Sequence, residues 1–350
     1  MKRRVASQLV RDDFATIPRY ASDSVTEVNL ADNTNLWGTP PAAMAALAAA
    51  VAAGADAYPS PYGEAFKAAV AHTHGVPADC VVTGNGSDDL LDCAVRAFAS
   101  PGDTVAHPDP TFVMLPVFAR INGLRPIAVP LTADHEMDAD ALLATEARII
   151  YLCTPNNPTG TATRRERVLR IIAEAPGLVI IDEAYAEFSR IESLLRQAPS
   201  LDRVLVCRTM SKAYGLAGLR AGYGVGSRAI VDAVERSRGP YKLNALAERA
   251  SVAAMTEGAE WMRRHADEAV ANRDRLAGAL RAIGLAPLPS DTNFLCVPTP
   301  RALAFAAHAR THGLAVRAFA GLPGIGPALR ITAGPWPLME RVLASLRDTP

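Results

Sequence analysis

The chain of 350 residues has no excess of charge: Lys plus Arg and Asp plus Glu both total 36, a formal net charge of +0. It has no block of Lys or Arg of the kind that tracks a phosphate backbone, so nucleic acid is not expected as a partner. No apolar run reaches membrane-spanning length, the alanine-rich stretch 42–53 included, so no membrane partner is expected either. The start, Met1-Lys2-Arg3-Arg4, is basic, but Ser7, Gln8, Arg11, Asp12 and Asp13 interrupt the segment after it. That leaves no apolar segment for secretion, and a cytoplasmic location is expected. Cysteine is sparse. Cys80, Cys93, Cys153, Cys207 and Cys296 lie far apart with no C-x-x-C pair, which reads as reduced, buried thiols rather than disulfides or a zinc site. His72 and His74 flank Thr73 with no further ligand at metal spacing, so they read as solvated histidines at a helix end. Internal repeats and low-complexity linkers are also missing.

What remains is an ordinary globular composition, 49% hydrophobic and 21% charged, long enough for two domains. From about residue 39 to about 240, short apolar runs alternate with helix-like segments, the signature of βα units around a mostly parallel sheet. Strands are expected at Cys80–Thr83, Thr104–His107, Pro126–Val129, Arg148–Cys153, Leu178–Asp182, Val204–Arg208 and Ala221–Val225. Helices are expected at Pro41–Ala53, Gly63–His74, Asp88–Ala99, Arg164–Ala175 and Ala229–Arg238. After Pro240 the helical spacing from Ala245 to Ala282 reads as one long connecting helix. A smaller α/β domain then has strands at Asn293–Val297, Leu314–Arg317 and Leu329–Thr332, a helix at Ala302–His312 and a closing helix. The division expected is an arm over 1–38, a large domain over 39–242, and a connecting helix with the small domain over 243–350.

In an open α/β sheet, ligands collect at the carboxyl ends of strands. The run Val81-Val82-Thr83 leads into Gly84-Asn85-Gly86-Ser87-Asp88 and a helix, a place for an anion on free N–H groups or simply a tight turn. It is no dinucleotide fingerprint, because Asp89 stands where the third glycine belongs. Leu178–Ile181 ends in Asp182-Glu183-Ala184-Tyr185; a buried strand-end acid calls for a cation, though an acid there also caps helices. Val204–Cys207 ends in Arg208-Thr209-Met210-Ser211-Lys212, followed by Gly218-Leu219-Arg220. Thr209, Ser211 and Arg220 can together hold a phosphate dianion while Lys212 attacks a carbonyl. Ile149–Leu152 runs into Asn156-Asn157-Pro158-Thr159-Gly160, which is also a turn in its own right.

Taken with Tyr58-Pro59, Pro110-Thr111-Phe112 and Ala328-Leu329-Arg330-Ile331-Thr332, these motifs resemble, in order and over nearly the whole chain, fold-type-I pyridoxal-phosphate enzymes of the aspartate aminotransferase superfamily. Among these the resemblance is to the histidinol-phosphate aminotransferases. It implies an α/β transferase with a large domain on a mostly parallel central sheet and a smaller C-terminal α/β domain. It also implies pyridoxal 5'-phosphate as cofactor, a small-molecule amino donor with a 2-oxo acid acceptor, and a homodimer with shared active sites. Lys212 is then the Schiff-base lysine and the base and acid of the proton shift, and Asp182 keeps the ring nitrogen protonated. Asn157 and Tyr185 bond the ring 3'-oxygen, and Phe112 lies over the ring. The backbone around Gly86, Ser87 and Asp88, together with Thr209, Ser211, Arg220 and, from a second subunit, Tyr58, holds the phosphate. Arg330 binds the substrate carboxylate, and Tyr20 and Arg317 resemble the residues that receive a substrate phosphate.

One segment departs from the family pattern. Where the family reads Asn-Glu-Asn-Pro before an aromatic and Gly, this chain has Asn33-Thr34-Asn35-Leu36-Trp37-Gly38. The substrate pair that the resemblance implies is histidinol phosphate with 2-oxoglutarate; because the departing loop lies near the substrate, an aromatic or other amino acid is one alternative and a decarboxylation of the threonine-phosphate decarboxylase type another. A regulatory module is not expected, since the roughly forty residues before the α/β domain are fewer than a DNA-binding domain needs.

Overall fold

The computed structural model describes residues 9–11, 14, 17 and 27–349. Tyr20 lies outside them. In chain order the elements are β1 (Val28–Asn29), α1 (Pro41–Ala52), α2 (Glu64–His74), β2 (Val81–Asn85), α3 (Gly86–Phe98), β3 (Thr104–Asp109), α4 (Met114–Ile121), β4 (Arg125–Pro130), α5 (Ala139–Leu143), β5 (Ile149–Cys153), α6 (Arg165–Glu174), β6 (Leu178–Asp182), β7 (Val204–Thr209), β8 (Ala221–Gly226) and α7 (Arg228–Arg238). They continue with α8 (Ala245–Met255), α9 (Ala259–Ala282), β9 (Phe294–Pro298), α10 (Ala302–Thr311), β10 (Leu314–Ala315), β11 (Arg317–Leu322), β12 (Gly326–Thr332) and α11 (Trp336–Asp348).

A seven-stranded sheet runs β2-β8-β7-β6-β5-β3-β4. β8 is antiparallel to both its neighbours, and the remaining pairings are parallel. Its central strands are buried throughout, as in Ile149-Ile150-Tyr151-Leu152-Cys153, because helices cover both faces. The alternation of side chains sorts them: Ile149 and Tyr151 join one apolar cluster with Leu90, Leu91 and Leu205, while Ile150 and Leu152 join the other with Phe66, Val70 and Val179. A third cluster, with Leu276, Leu295, Phe305, Leu329 and Met339, lies beneath the antiparallel sheet β11-β12-β9. β1 pairs in parallel with β10, so the segment after residue 27 is tied to C-terminal residues.

Several elements differ from the sequence expectation. The long helix expected over 245–282 is two helices, broken at Thr256-Glu257-Gly258, where the Gly258 N–H turns back to Ala253 O at 2.8 Å. Apolar spacing continues across the break and conceals it. Ala247, Ala250, Ala254 and Met262 all pack into the large sheet's cluster. The strand expected at Leu314–Arg317 divides between β10 and β11, and the short helices α4 and α5 were not expected. Asp138 fixes the start of α5 by accepting from Ala141 N at 3.0 Å. His74 is not a solvated histidine: its Nε2 lies 2.8 Å from the Tyr223 hydroxyl and burial pushes its pKa down to about 3. All five cysteines are buried and free. Among the described residues no helix is long and apolar enough to cross a membrane.

Candidate active site

The strand order brings the polar ends together. Because β8 runs against β2 and β7, its first residues lie beside their last: Asn85 faces Ala221 and Thr209 faces Gly222. A Cβ on Gly222 would come within 2.4 Å of Ser87 N, so glycine is what lets β8 approach the start of α3 so closely. Gly86, at φ +79°, leaves room for the Arg220 guanidinium, which a Cβ there would meet at 2.7 Å. Arg220 Nη1 donates to Ser211 Oγ at 3.3 Å and Nη2 to Asp88 Oδ2 at 3.1 Å. Thr209 Oγ1 donates to Ser211 Oγ at 3.0 Å and accepts from Ser211 N at 3.1 Å. A helix start, two hydroxyls and a guanidinium thus surround one small volume, a donor set suited to a phosphate. Asp89, where a dinucleotide fingerprint needs glycine, accepts from Asn85 N at 3.1 Å.

Beside this cradle stands Asp182 at the end of β6. Its carboxylate accepts from the Tyr151 hydroxyl at 2.8 Å and from Ala184 N at 3.1 Å, and burial raises its pKa to about 6. A cation against it would return it to the ionised form. Of the four lysines in the chain (Lys2, Lys67, Lys212, Lys242), Lys67 meets Glu235 and Lys242 meets Asp89. Lys212 instead donates to the Asp32 carbonyl at 2.8 Å, and its pKa falls to about 8 through burial first and Arg330 next. Its Nζ lies 6.0 Å from the centre of the Tyr185 ring.

Tyr185 is buried, accepts from Asn33 Nδ2 at 2.9 Å, and meets the edge of Phe294 at 5.2 Å. Arg330 reaches in from β12, donating to Asn157 Oδ1 at 2.5 Å and to the Ala31 carbonyl, with its guanidinium 5.4 Å from the Phe294 ring centre. Arg317 is the direct cross-strand partner of Arg330, so both side chains share one face of the sheet. Phe112 follows β3 and packs half-buried on the core. Tyr58 stands apart from the cradle, 84% exposed and stacked on Tyr241 at 4.9 Å.

Sequence reasoning missed the supports. Asn156 is buried and holds the turn that presents Asn157, accepting from Thr111 Oγ1 at 2.9 Å and donating to the Pro110 carbonyl at 3.0 Å. Arg208 donates to Glu183 Oε2 from Nε at 3.0 Å and from Nη2 at 2.9 Å, locking the ends of β6 and β7 together next to Asp182 and Lys212. Ser193 donates to the same carboxylate oxygen at 2.6 Å. Asn33 stands in the segment that departs from the family pattern, but its contact with Tyr185, 152 positions away, is not marked locally, and neither is Phe294.

Residues 25–346 match the aminotransferase class I and II family, and the chain belongs to it. Its cofactor is pyridoxal 5'-phosphate. A histidinol-phosphate aminotransferase of Chromobacterium violaceum is 37% identical over 338 residues, covering 93% of this chain and 94% of that protein. An aromatic amino acid aminotransferase of Corynebacterium glutamicum is 36% identical over 321 residues, covering 89% and 92%. Among solved structures, histidinol-phosphate aminotransferase from Sinorhizobium meliloti in complex with pyridoxal-5'-phosphate superposes with a TM-score of 0.84 at 26% identity, covering 93% of this chain and 91% of that one. The residues present suit such a cofactor: an anion cradle for its phosphate, a buried carboxyl for its ring nitrogen and a lysine of lowered pKa for its carbonyl.

Proposed function

We propose that this aminotransferase acts on histidinol phosphate, with 2-oxoglutarate as the acceptor, in histidine biosynthesis. The observation that carries the substrate is the pairing of Arg317 with Arg330 across β11 and β12. A phosphate dianion between them engages both guanidinium groups, whereas a substrate carboxylate needs only the fork of Arg330. Tyr20, outside the described residues, is proposed as a further contact to the substrate phosphate.

Bound pyridoxal phosphate supplies the electron sink and carries the amino group between the half-reactions. In this reading the backbone N–H groups of Gly86, Ser87 and Asp88, with Thr209, Ser211 and Arg220, anchor its phosphate, and Phe112 covers its ring. Asp182 holds the proton on the ring nitrogen. Asn157, whose Oδ1 is occupied by Arg330, offers its amide N–H to the 3'-oxygen, and Tyr185 offers its hydroxyl to the same atom. Lys212 moves the proton at the substrate Cα, and a pKa of about 8 leaves a usable fraction of free amine near neutrality.

A homodimer with shared sites, in the cytoplasm, completes the proposal. The exposure of Met44, Val51 and Tyr58 supports a partner on that side. Mixing Tyr58→Ala subunits with Lys212→Ala subunits is expected to restore activity that neither variant has alone.

The substrate test compares histidinol phosphate and phenylalanine as donors to 2-oxoglutarate. Preference for histidinol phosphate, with Arg317→Gln reducing that rate selectively, is the expected outcome. Preference for phenylalanine, unaffected by Arg317→Gln, would replace this reading with an aromatic aminotransferase, the activity named for the Corynebacterium glutamicum relative.

A further inference from the structure

We propose that Asn33 is a positioning residue that fixes the direction of the Tyr185 hydroxyl proton, and through it the charge left on the cofactor's 3'-oxygen; the proposal rests on the assignment of Tyr185 to that oxygen. Asn33 is 1% exposed and sits at φ +56°, a conformation that asparagine tolerates better than most residues. Its backbone is held from both sides: Asn33 N donates to Thr332 Oγ1 at 3.2 Å, and Asn293 Nδ2 donates to Asn33 O at 3.0 Å. Thr332 Oγ1, which donates to Leu30 O at 2.7 Å, lies 3.2 Å from Asn33 Oδ1, and the Asn33 amide nitrogen is directed at Tyr185.

A phenol has one proton to give. With its oxygen accepting from Asn33 Nδ2 at 2.9 Å, the Tyr185 O–H is left to donate elsewhere. Asn157 shows the same polarity, since its Oδ1 accepts from Arg330 and its N–H groups remain. Both side chains therefore have their acceptors occupied from behind and their donors left over. The neighbours of Asn33 serve the same site. The Ala31 carbonyl accepts from Arg330 and the Asp32 carbonyl from Lys212, so three successive residues contact three functional side chains. The charged groups facing Tyr185 are Arg330, Asp182 and Lys212, the last with Nζ 6.0 Å from its ring centre.

The test uses the pyridoxal-phosphate-loaded protein and follows its visible absorption as a function of pH, alongside the melting temperature of the cofactor-free chain. Asn33→Asp and Asn33→Gly both accept a positive φ. Asp is isosteric but only accepts, and so turns the Tyr185 proton inward. Gly removes the donor and adds no charge. With less donation to the 3'-oxygen, that oxygen keeps more negative charge and holds a proton longer on the nitrogen joining Lys212 to the cofactor. Asn33→Asp is expected to move the spectral midpoint to higher pH by about one unit, the scale of one hydrogen bond. Tyr185→Phe should move it in the same direction, and Asn33→Gly likewise by less; the melting temperature, which the buried carboxylate of Asn33→Asp lowers, is read separately from the spectral shift. A shift in Tyr185→Phe with none in either Asn33 variant would overturn the proposal. A shift in Asn33→Asp alone would assign the change to the added charge and overturn it as well. No shift in Tyr185→Phe would remove the assignment of Tyr185 itself, and the role of Asn33 with it.

Discussion

Replacing Asp182 by Asn should make the cofactor-free chain more stable while destroying transamination. Asp182 is 4% exposed, and burial raises its pKa from 3.8 to about 6. The difference of about 2.2 pH units corresponds to about 3 kcal/mol held against folding once the group is ionised. The sign comes from proton binding: between pH 3.8 and about 6 the folded chain holds a proton that the unfolded chain has released. Stability therefore falls as pH rises through this window and stays lower above it. Asn keeps both hydrogen bonds, since its Oδ1 can accept from Ala184 N and its Nδ2 can donate to the Tyr151 oxygen. Urea unfolding of the cofactor-free proteins at about pH 4 and about pH 7.5 gives the measurement. The variant should gain up to about 3 kcal/mol at the higher pH and little at the lower. Equal stabilities at both, or a loss at about pH 7.5, would refute the view that Asp182 is a buried carboxyl kept for a cation.

The same geometry sets other outcomes. Lys212→Ala should bind pyridoxal phosphate without the wild-type visible band and lose activity, as an absorption spectrum and a donor assay would show. Gly222→Ala, whose new Cβ would press on Ser87 N, should weaken cofactor binding about tenfold or more by fluorescence titration. Arg208→Ala leaves Glu183 and Glu187 without their cation and should cost about 3–5 kcal/mol in denaturant unfolding. His74 has a folded-state pKa of about 3 against an ordinary 6.5, so falling pH destabilises the native chain across that interval. His74→Gln should flatten this acid loss in unfolding curves taken between about pH 6.5 and pH 3.

The site was legible where polar residues end a buried strand. Asp182 after Leu178–Ile181 and Lys212 after Val204–Cys207 are conspicuous because burial makes an unexplained polar group costly. The sheet was legible for the same reason, since runs such as Ile149–Cys153 have no exposed face. The features that stayed hidden depend on contacts between distant residues. Asn33 meets Tyr185 across 152 positions, and Arg208 meets Glu183 across 25. Phe294 reads as one more apolar strand residue, although it turns toward Tyr185 while Leu295 faces the other cluster. The break before Gly258 escaped because the helical period survives it. Leu36 illustrates the departure in the Asn33–Gly38 segment: it packs on the third cluster, and a Cβ on Gly334 would lie 2.5 Å from its Cδ1. It fills a packing position.

The proposed attachment of the cofactor to Lys212 can be read off chemically. The pyridoxal-phosphate-loaded protein is reduced with borohydride, digested, and mapped by peptide mass spectrometry. With only four lysines in the chain, the assignment is unambiguous. A pyridoxyl group is expected on the peptide containing Ser211 and Lys212. Labelling of Lys67 or Lys242 instead, or no labelled lysine at all, would contradict it.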